Sequence, residues 1–232
     1  KWRRVCIMPI GINRSARRGV VSAIPDSVVQ QFDPREESTG TGKSTITDLQ
    51  GLADLTGTVD VISDGINNVQ SFRFDGSVFV DHDTTIATTE PFAVVCVTQQ
   101  QEARLSNNCY IDGGAKFEFG FYDNNNDSKE YRPMRDGTLT GSSNFSVDQN
   151  PHVISIEGIN SGDAKFTRHD TSDSFTDSGN NADFTGLTLA AFSDGANTLQ
   201  VDFGQVEVLQ GYSQSDLDSV VNRLADNYNI TV

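Results

Sequence analysis

Long apolar runs are what this sequence of 232 residues lacks most. No stretch approaches the roughly 20 apolar residues with which a helix crosses a bilayer, which excludes membrane insertion by that route. Cysteine is scarce: Cys6, Cys96 and Cys109 are an odd number at no metal-ligand spacing, which argues against a disulfide framework or a zinc module. Cys96 lies in the apolar run Phe92-Ala-Val-Val-Cys-Val97 and reads as a small buried thiol, in preference to a Cys96–Cys109 bridge across neighbouring strands. There is no Gly-x-Ser-x-Gly elbow, and His82, His152 and His169 are too scattered for a triad or zinc signature. Gly40-Thr-Gly-Lys-Ser-Thr45 is no phosphate loop, because Glu37 stands where the first glycine belongs and would repel phosphate; it reads as a flexible turn before a strand at 46–49.

Lysine is the scarcest charge. Five Lys and 12 Arg face 24 Asp and 8 Glu, for a net charge of −15. Short carboxylates hold hydration, lysine's apolar stem is avoided, and concentrated salt would screen the self-repulsion. The composition points to a halophilic source, with an ordinary acidic mesophilic domain as the alternative. It makes nucleic acid an unsuitable ligand for the body of the chain.

The first 24 residues break this pattern. Lys1, Trp2, Arg3, Arg4, Arg14, Arg17 and Arg18 contribute six positive charges, with no acidic residue before Asp26. Pro9 and Gly11 interrupt the apolar run at 5–12 and no small-residue cleavage site follows, so a signal peptide is disfavoured. We read residues 1–24 as a basic arm that docks on an acidic partner or a neighbouring copy, which implies a homo-oligomer. A flexible tail or an edge strand is the competing reading.

What is abundant is short strands set apart by Gly, Asn, Asp and Ser. Alternation predicts strands at 27–33, 58–63, 71–74, 78–80, 92–98, 116–122, 153–158, 164–169, 187–192 and 201–209, with Asp75-Gly76 as a hairpin turn between the third and fourth. One helix follows. Ser213 and Asp216 have capping-box spacing, and Leu217, Val220, Val221, Leu224 and Tyr228 recur on one face. The order predicts an all-β, two-sheet antiparallel jelly-roll sandwich over 25–232 with one C-terminal helix.

That order resembles the laminin-G-like, concanavalin A-like lectin/glucanase superfamily. The resemblance rests on Ile24-Pro-Asp-Ser-Val-Val-Gln-Gln-Phe-Asp33, Ser71-Phe-Arg-Phe-Asp-Gly76, Pro91-Phe-Ala-Val-Val-Cys-Val97, His152-Val-Ile-Ser-Ile156 with Ala164-Lys-Phe166, and the closing Gly204-x-x-Glu207 strand and helix. In the family the last-strand glutamate commonly lies one residue further from the glycine, so Gly204 is expected to mark a bulge. Glucanases of this fold carry a Glu-x-Asp-x-Glu strand, which is absent here. Glu118, Glu157 and Glu207 each stand alone, and we expect no enzyme.

Loops at 123–127 and 170–183 are particular to this chain. Asp123, Asn125 and Asp127 occupy the first three ligand positions of a calcium loop, but Ser128 and Met134 replace its glycine and its glutamate. A solvated loop is preferred, with calcium the sole cofactor worth considering. Tyr122 and Tyr131, with Asn124 and Asn126, are the candidates for stacking on and hydrogen-bonding a sugar. These readings together describe a non-catalytic adhesion or structural protein on the surface of a haloarchaeal virus particle, as spike, turret or tail fibre. Its partners would be other virion proteins, copies of itself and host-surface glycans. A secreted or cell-surface carbohydrate-binding module of the archaeon is the alternative, and a glycoside hydrolase comes behind both.

Overall fold

The computed structural model describes residues 23–82, 84, 91–101, 108–113, 118–123, 129–135, 138–139, 148–160, 163–178, 186–191, 195 and 198–232. Among them are fifteen strands. The first five are β1 (Val28–Phe32), β2 (Gly40–Ile46), β3 (Leu55–Ile62), β4 (Ser71–Asp75) and β5 (Val80–His82). Next come β6 (Phe92–Gln100), β7 (Asn108–Asp112), β8 (Glu118–Asp123), β9 (Lys129–Arg135) and β10 (Thr138–Leu139). The last are β11 (Pro151–Asn160), β12 (Asp163–Arg168), β13 (Asp173–Ser178), β14 (Leu187–Leu189) and β15 (Gln200–Gln210), followed by α1 (Gln214–Tyr228).

The strands pair antiparallel in the order β10-β9-β8-β7-β14-β5-β3-β4-β15-β6-β11-β12-β13, with β1 beside β15 and β2 beside β3. This path curls over itself into a sandwich. Strand β3 is the corner, pairing with β5 through Thr56 and Gly57 and with β4 through residues 60–62. The inter-sheet core joins Phe72, Phe74, Phe92, Val94, Cys96, Ile154 and Phe203 from one half to Ile111, Leu187 and Leu189 from the other. Cys96 is a free thiol inside it, as its apolar setting predicted.

Strand β6 shows why its sequence reads as an unbroken apolar run. Phe92, Val94 and Cys96 enter the inter-sheet core, while the alternate residues Ala93, Val95 and Val97 lie under α1. Both faces are therefore buried. The predicted helix stripe supplies the cover: Leu217, Val220, Val221, Leu224 and Tyr228 all pack into this second core. The Ser213 hydroxyl accepts from the Asp216 N–H at 3.3 Å, and the Asp216 carboxylate accepts from the Ser213 N–H at 2.9 Å. That reciprocal pair is the predicted capping box.

Gly204 is the bulge expected from the sequence. The β15–β6 register shifts between Phe203 and Val206, so Val201, Phe203, Val206 and Val208 all reach the inter-sheet core despite their change of parity. A Cβ at Gly204 would lie 2.6 Å from Cζ of Tyr228 and 2.9 Å from Cβ of Val97. The glycine thus lets the helix ring seat against the strand.

Four readings need correction. Residues 40–46 are strand β2, not a turn, with two register shifts and a positive φ of 61° at Gly42. Bulges and Lys43 blunt an outer strand of this kind. Asp75-Gly76 does not make a hairpin, since β4 and β5 both run along β3 and do not pair with each other. Gly76, at φ 85°, redirects the chain without reversing it. Residues 173–178, assigned to a loop, form β13, and β7, β9 and β10 were missed because their alternation is broken by polar and small residues.

Candidate functional site

The sheet half farther from α1 carries a polar row on the face turned away from the inter-sheet core. Strand register aligns Thr45 with Thr56, Thr56 with Asp81, Asp81 with Thr188, Thr188 with Asp112 and Asp112 with Glu118. Ile46, Leu55, Val80, Leu187, Leu189 and Ile111, one residue away on the same strands, fill the inter-sheet core. Alternation therefore turns Thr45, Thr56, Asp81, Thr188 and Asp112 outward. Neighbouring strands stand about 4.8 Å apart, so the six positions span about 24 Å.

The row is exposed at one end and buried in the middle. Thr45 and Thr56 are exposed and Asp81 is half-buried. Thr188 and Asp112 are 2% and 0% exposed although they face away from the core. The open end presents the Thr45 and Thr56 hydroxyls beside Asp81, the Thr56 hydroxyl donating to the Asp81 carbonyl at 3.4 Å, and such polar groups suit a polyhydroxylated ligand lying across the strands. Register continues from Glu118 to Met134 on β9 and Leu139 on β10.

The other buried polar groups serve architecture. Glu207 on β15 accepts from Gln31 at 3.0 Å and from Gln205, and is paired with Arg223 of α1. Burial raises its pKa against the opposing pull of Arg223, Gln31 and Gln205. Glu157 on β11 accepts from Ser155 at 3.1 Å and from the Tyr212 hydroxyl at 2.9 Å. Both glutamates have their oxygens committed to joining strands to the helix segment. His169 bonds Ser155 at 2.9 Å and His152 lies between Asp148 and Asp170, each at 2.8 Å. The three histidines thus serve separate local networks, His82 contacting Gln30 at 3.1 Å.

The sugar-binding and calcium candidates fall at the end of the β8–β9 hairpin. Tyr122 is in register with Glu130, Tyr131 with Phe121, and Asp123 with Lys129. Asn124, Asn125, Asn126 and Asp127 lie outside the described residues, as do Lys1, Trp2, Arg3, Arg4, Arg14, Arg17 and Arg18 of the arm and Cys6. Because β9 pairs with β8 from Lys129 onward, Met134 belongs to a strand. Tyr122 lies four residues from Glu118, about 13 Å along β8 and at the same parity, whereas Tyr131, in register with Phe121, has the opposite parity, so register does not bring the two tyrosines to one face. No group of three or more His, Cys, Asp or Glu among the described residues is arranged to hold a metal.

The row residues Thr45, Thr56, Asp81, Asp112 and Thr188 were not singled out from the sequence. Their only local signal was a polar residue next to a core residue on a short strand, a signal that most strand positions share.

No family model and no curated protein matches the sequence. Solved structures do resemble the fold. The sialidase of Trypanosoma rangeli overlays with TM-score 0.61 at 14% identity over 90% of this chain. Domain 4 of AbnA, an extracellular arabinanase from Geobacillus stearothermophilus solved with arabinotriose, gives TM-score 0.60 at 6% identity, covering 87% of this chain and 98% of that domain. The binding domain of botulinum neurotoxin serotype D/C gives TM-score 0.55 at 15% identity over 87% of this chain and 53% of that domain. The chain spans 35% of the sialidase's length. The fold is a concanavalin A-like lectin/glucanase-type β-sandwich.

Proposed function

We propose that this chain is a non-catalytic glycan-binding module. The observation that carries the reading is the overlay with a complete domain, 98% of it, solved with a bound arabinotriose. The outward row from Thr45 through Asp81 supports it, since sugar hydroxyls need closely spaced donors and acceptors on a rigid sheet. Of the aromatic candidates, Tyr122 has the strand parity of Glu118 and is the one proposed to stack on a sugar face, with Asn124 and Asn126 as amide partners, while Tyr131 has the opposite parity. A glycan array in molar salt, followed by calorimetry with arabinotriose as one probe, tests the reading. Binding that weakens at least tenfold in Thr56→Ala with Asp81→Asn, or in Tyr122→Ala, is expected; absence of binding to every glycan would sink it.

The setting is proposed from composition. An acidic body with a basic arm suits display on a haloarchaeal virus particle, the arm at 1–24 assembling copies or virion partners and the domain at 25–232 facing host glycans. A secreted or cell-surface haloarchaeal module is the second setting. Light scattering of the full-length chain against one lacking residues 1–24 separates them: an unchanged monomer in both would remove the assembly role. The melting temperature should rise steeply with KCl up to molar concentration, and a flat response would remove the halophilic assignment.

A further inference from the structure

We infer that Asn229 is an acceptor for N-linked glycosylation. Asn229-Ile230-Thr231 is an Asn-x-Thr tripeptide with no proline at its centre, and no other Asn-x-Ser/Thr lies among the described residues. The local geometry presents it. Helix α1 ends at Tyr228, and Asn229 takes the left-handed cap conformation at φ 53° and ψ 43°. Its backbone N–H donates to the Asp226 carbonyl at 3.4 Å, and the Ile230 N–H to Ala225 at 2.9 Å. Ile230 packs back on the helix core, while Asn229 and Thr231 are exposed. Among the described residues the Asn229 side chain makes no hydrogen bond, which leaves its amide free to react.

A cap at positive φ explains part of this. Glycine is the commonest residue there and asparagine the next, so the cap accounts for Asn229 by itself. It places no demand on Thr231, two residues beyond, whose hydroxyl an acceptor tripeptide requires. The tripeptide follows the last helical residue and lies in no strand, so a transferase can draw it out by fraying one turn.

The transfer uses a polyprenyl-diphosphate-linked oligosaccharide as donor. The Asn229 Nδ2 attacks the anomeric carbon; the N–C bond forms and the carbon–oxygen bond to the diphosphate breaks. The amide proton passes to a base of the transferase, and the polyprenyl diphosphate leaves. Nothing is oxidised or reduced. The inference does not depend on the glycan-binding reading, because it concerns a surface at the opposite side of the helix-covered sheet from the polar row.

The test is secretion of the full chain from a host with oligosaccharyltransferase activity. Asn13, Asn126 and Asn144, which also begin Asn-x-Ser tripeptides, are changed to Gln, and a reporter acceptor tripeptide is appended. Intact mass and peptide mapping should place a glycan on Asn229 in most molecules. Thr231→Ala should abolish it and Thr231→Ser should retain it. Asn229→Gly should abolish it while leaving the urea midpoint unchanged or higher, which separates acceptor from cap. An empty Asn229 beside an occupied reporter overturns the assignment, as does a glycan that persists in Thr231→Ala.

Discussion

Substituting Gly204 by alanine should destabilise the fold through one identifiable contact, and the size follows from geometry. The added Cβ would meet Tyr228 at 2.6 and 2.8 Å and Val97 at 2.9 Å, all closer than carbon atoms approach. Tyr228 is fully buried and its hydroxyl donates to the Gln70 carbonyl at 3.3 Å, so the ring cannot simply swing out. Overpacking of this kind costs about 1–3 kcal/mol, and two clashes on a constrained ring favour the upper half of that range. In a chain of this size that lowers the melting temperature by about 4–10 °C, or the urea midpoint by about 1 M. Tyr228→Leu removes the ring and should cost about 2–4 kcal/mol by itself. In that background the alanine retains only the Val97 contact, so the double-mutant cycle should show a coupling of about 1 kcal/mol or more. Urea unfolding followed by tryptophan-independent far-UV signal measures all four proteins. A neutral Gly204→Ala, or strict additivity with Tyr228→Leu, would refute the claim that this glycine exists to seat the helix.

Other perturbations test separate parts. Asp48, 4% exposed, accepts four backbone N–H groups from Gln31, Gln50, Leu52 and Ala53 at 2.8–3.2 Å, so Asp48→Ala should cost about 3–5 kcal/mol in urea unfolding. Removing either partner of the buried Glu207–Arg223 pair should cost about 3–5 kcal/mol, while Glu207→Leu with Arg223→Met together should recover only part of that cost, because the buried Gln31 and Gln205 amides still lose their acceptor, a contrast read from the same assay. Burial pushes the His169 imidazole down to about 4, below its ordinary 6.5. The unfolded chain therefore takes up that proton first, and a contribution of at most about 3 kcal/mol, present above pH 6.5, is lost as pH falls towards 4. His169→Gln should flatten the stability profile across that window, and an unchanged slope would show that another group sets it.

The fold was legible where burial is two-sided or periodic. The helix stripe from Leu217 to Tyr228 and the run from Phe92 to Val97 state their partners through their spacing alone, because each buries a face whose period the sequence records. Even the bulge at Gly204 could be anticipated, since a glycine displaced by one residue from a strand glutamate implies an inserted position. Strands such as β13 (DSFTDS) and β9 (KEYRPMR) carry their pairing in the backbone and have little apolar alternation to announce it.

The polar face was illegible for a different reason. Its row draws one residue from each of six strands spread from Thr45 to Thr188, and what joins them is register, a property of the pairs and not of any one segment. A slip of one residue in β14 would exchange Thr188 for Leu187 or Leu189 on the outer face and turn the row apolar at its centre. The inter-sheet core forbids that slip, because Leu187 and Leu189 are both fully buried there beside Val80 and Ile111. The positions of the outward hydroxyls and carboxylates are thus held by the apolar residues that alternate with them. Changes in that core, such as Leu189→Ala, should therefore disturb the proposed glycan binding at Thr56 and Asp81 as well as stability, whereas changes under α1 should affect stability alone.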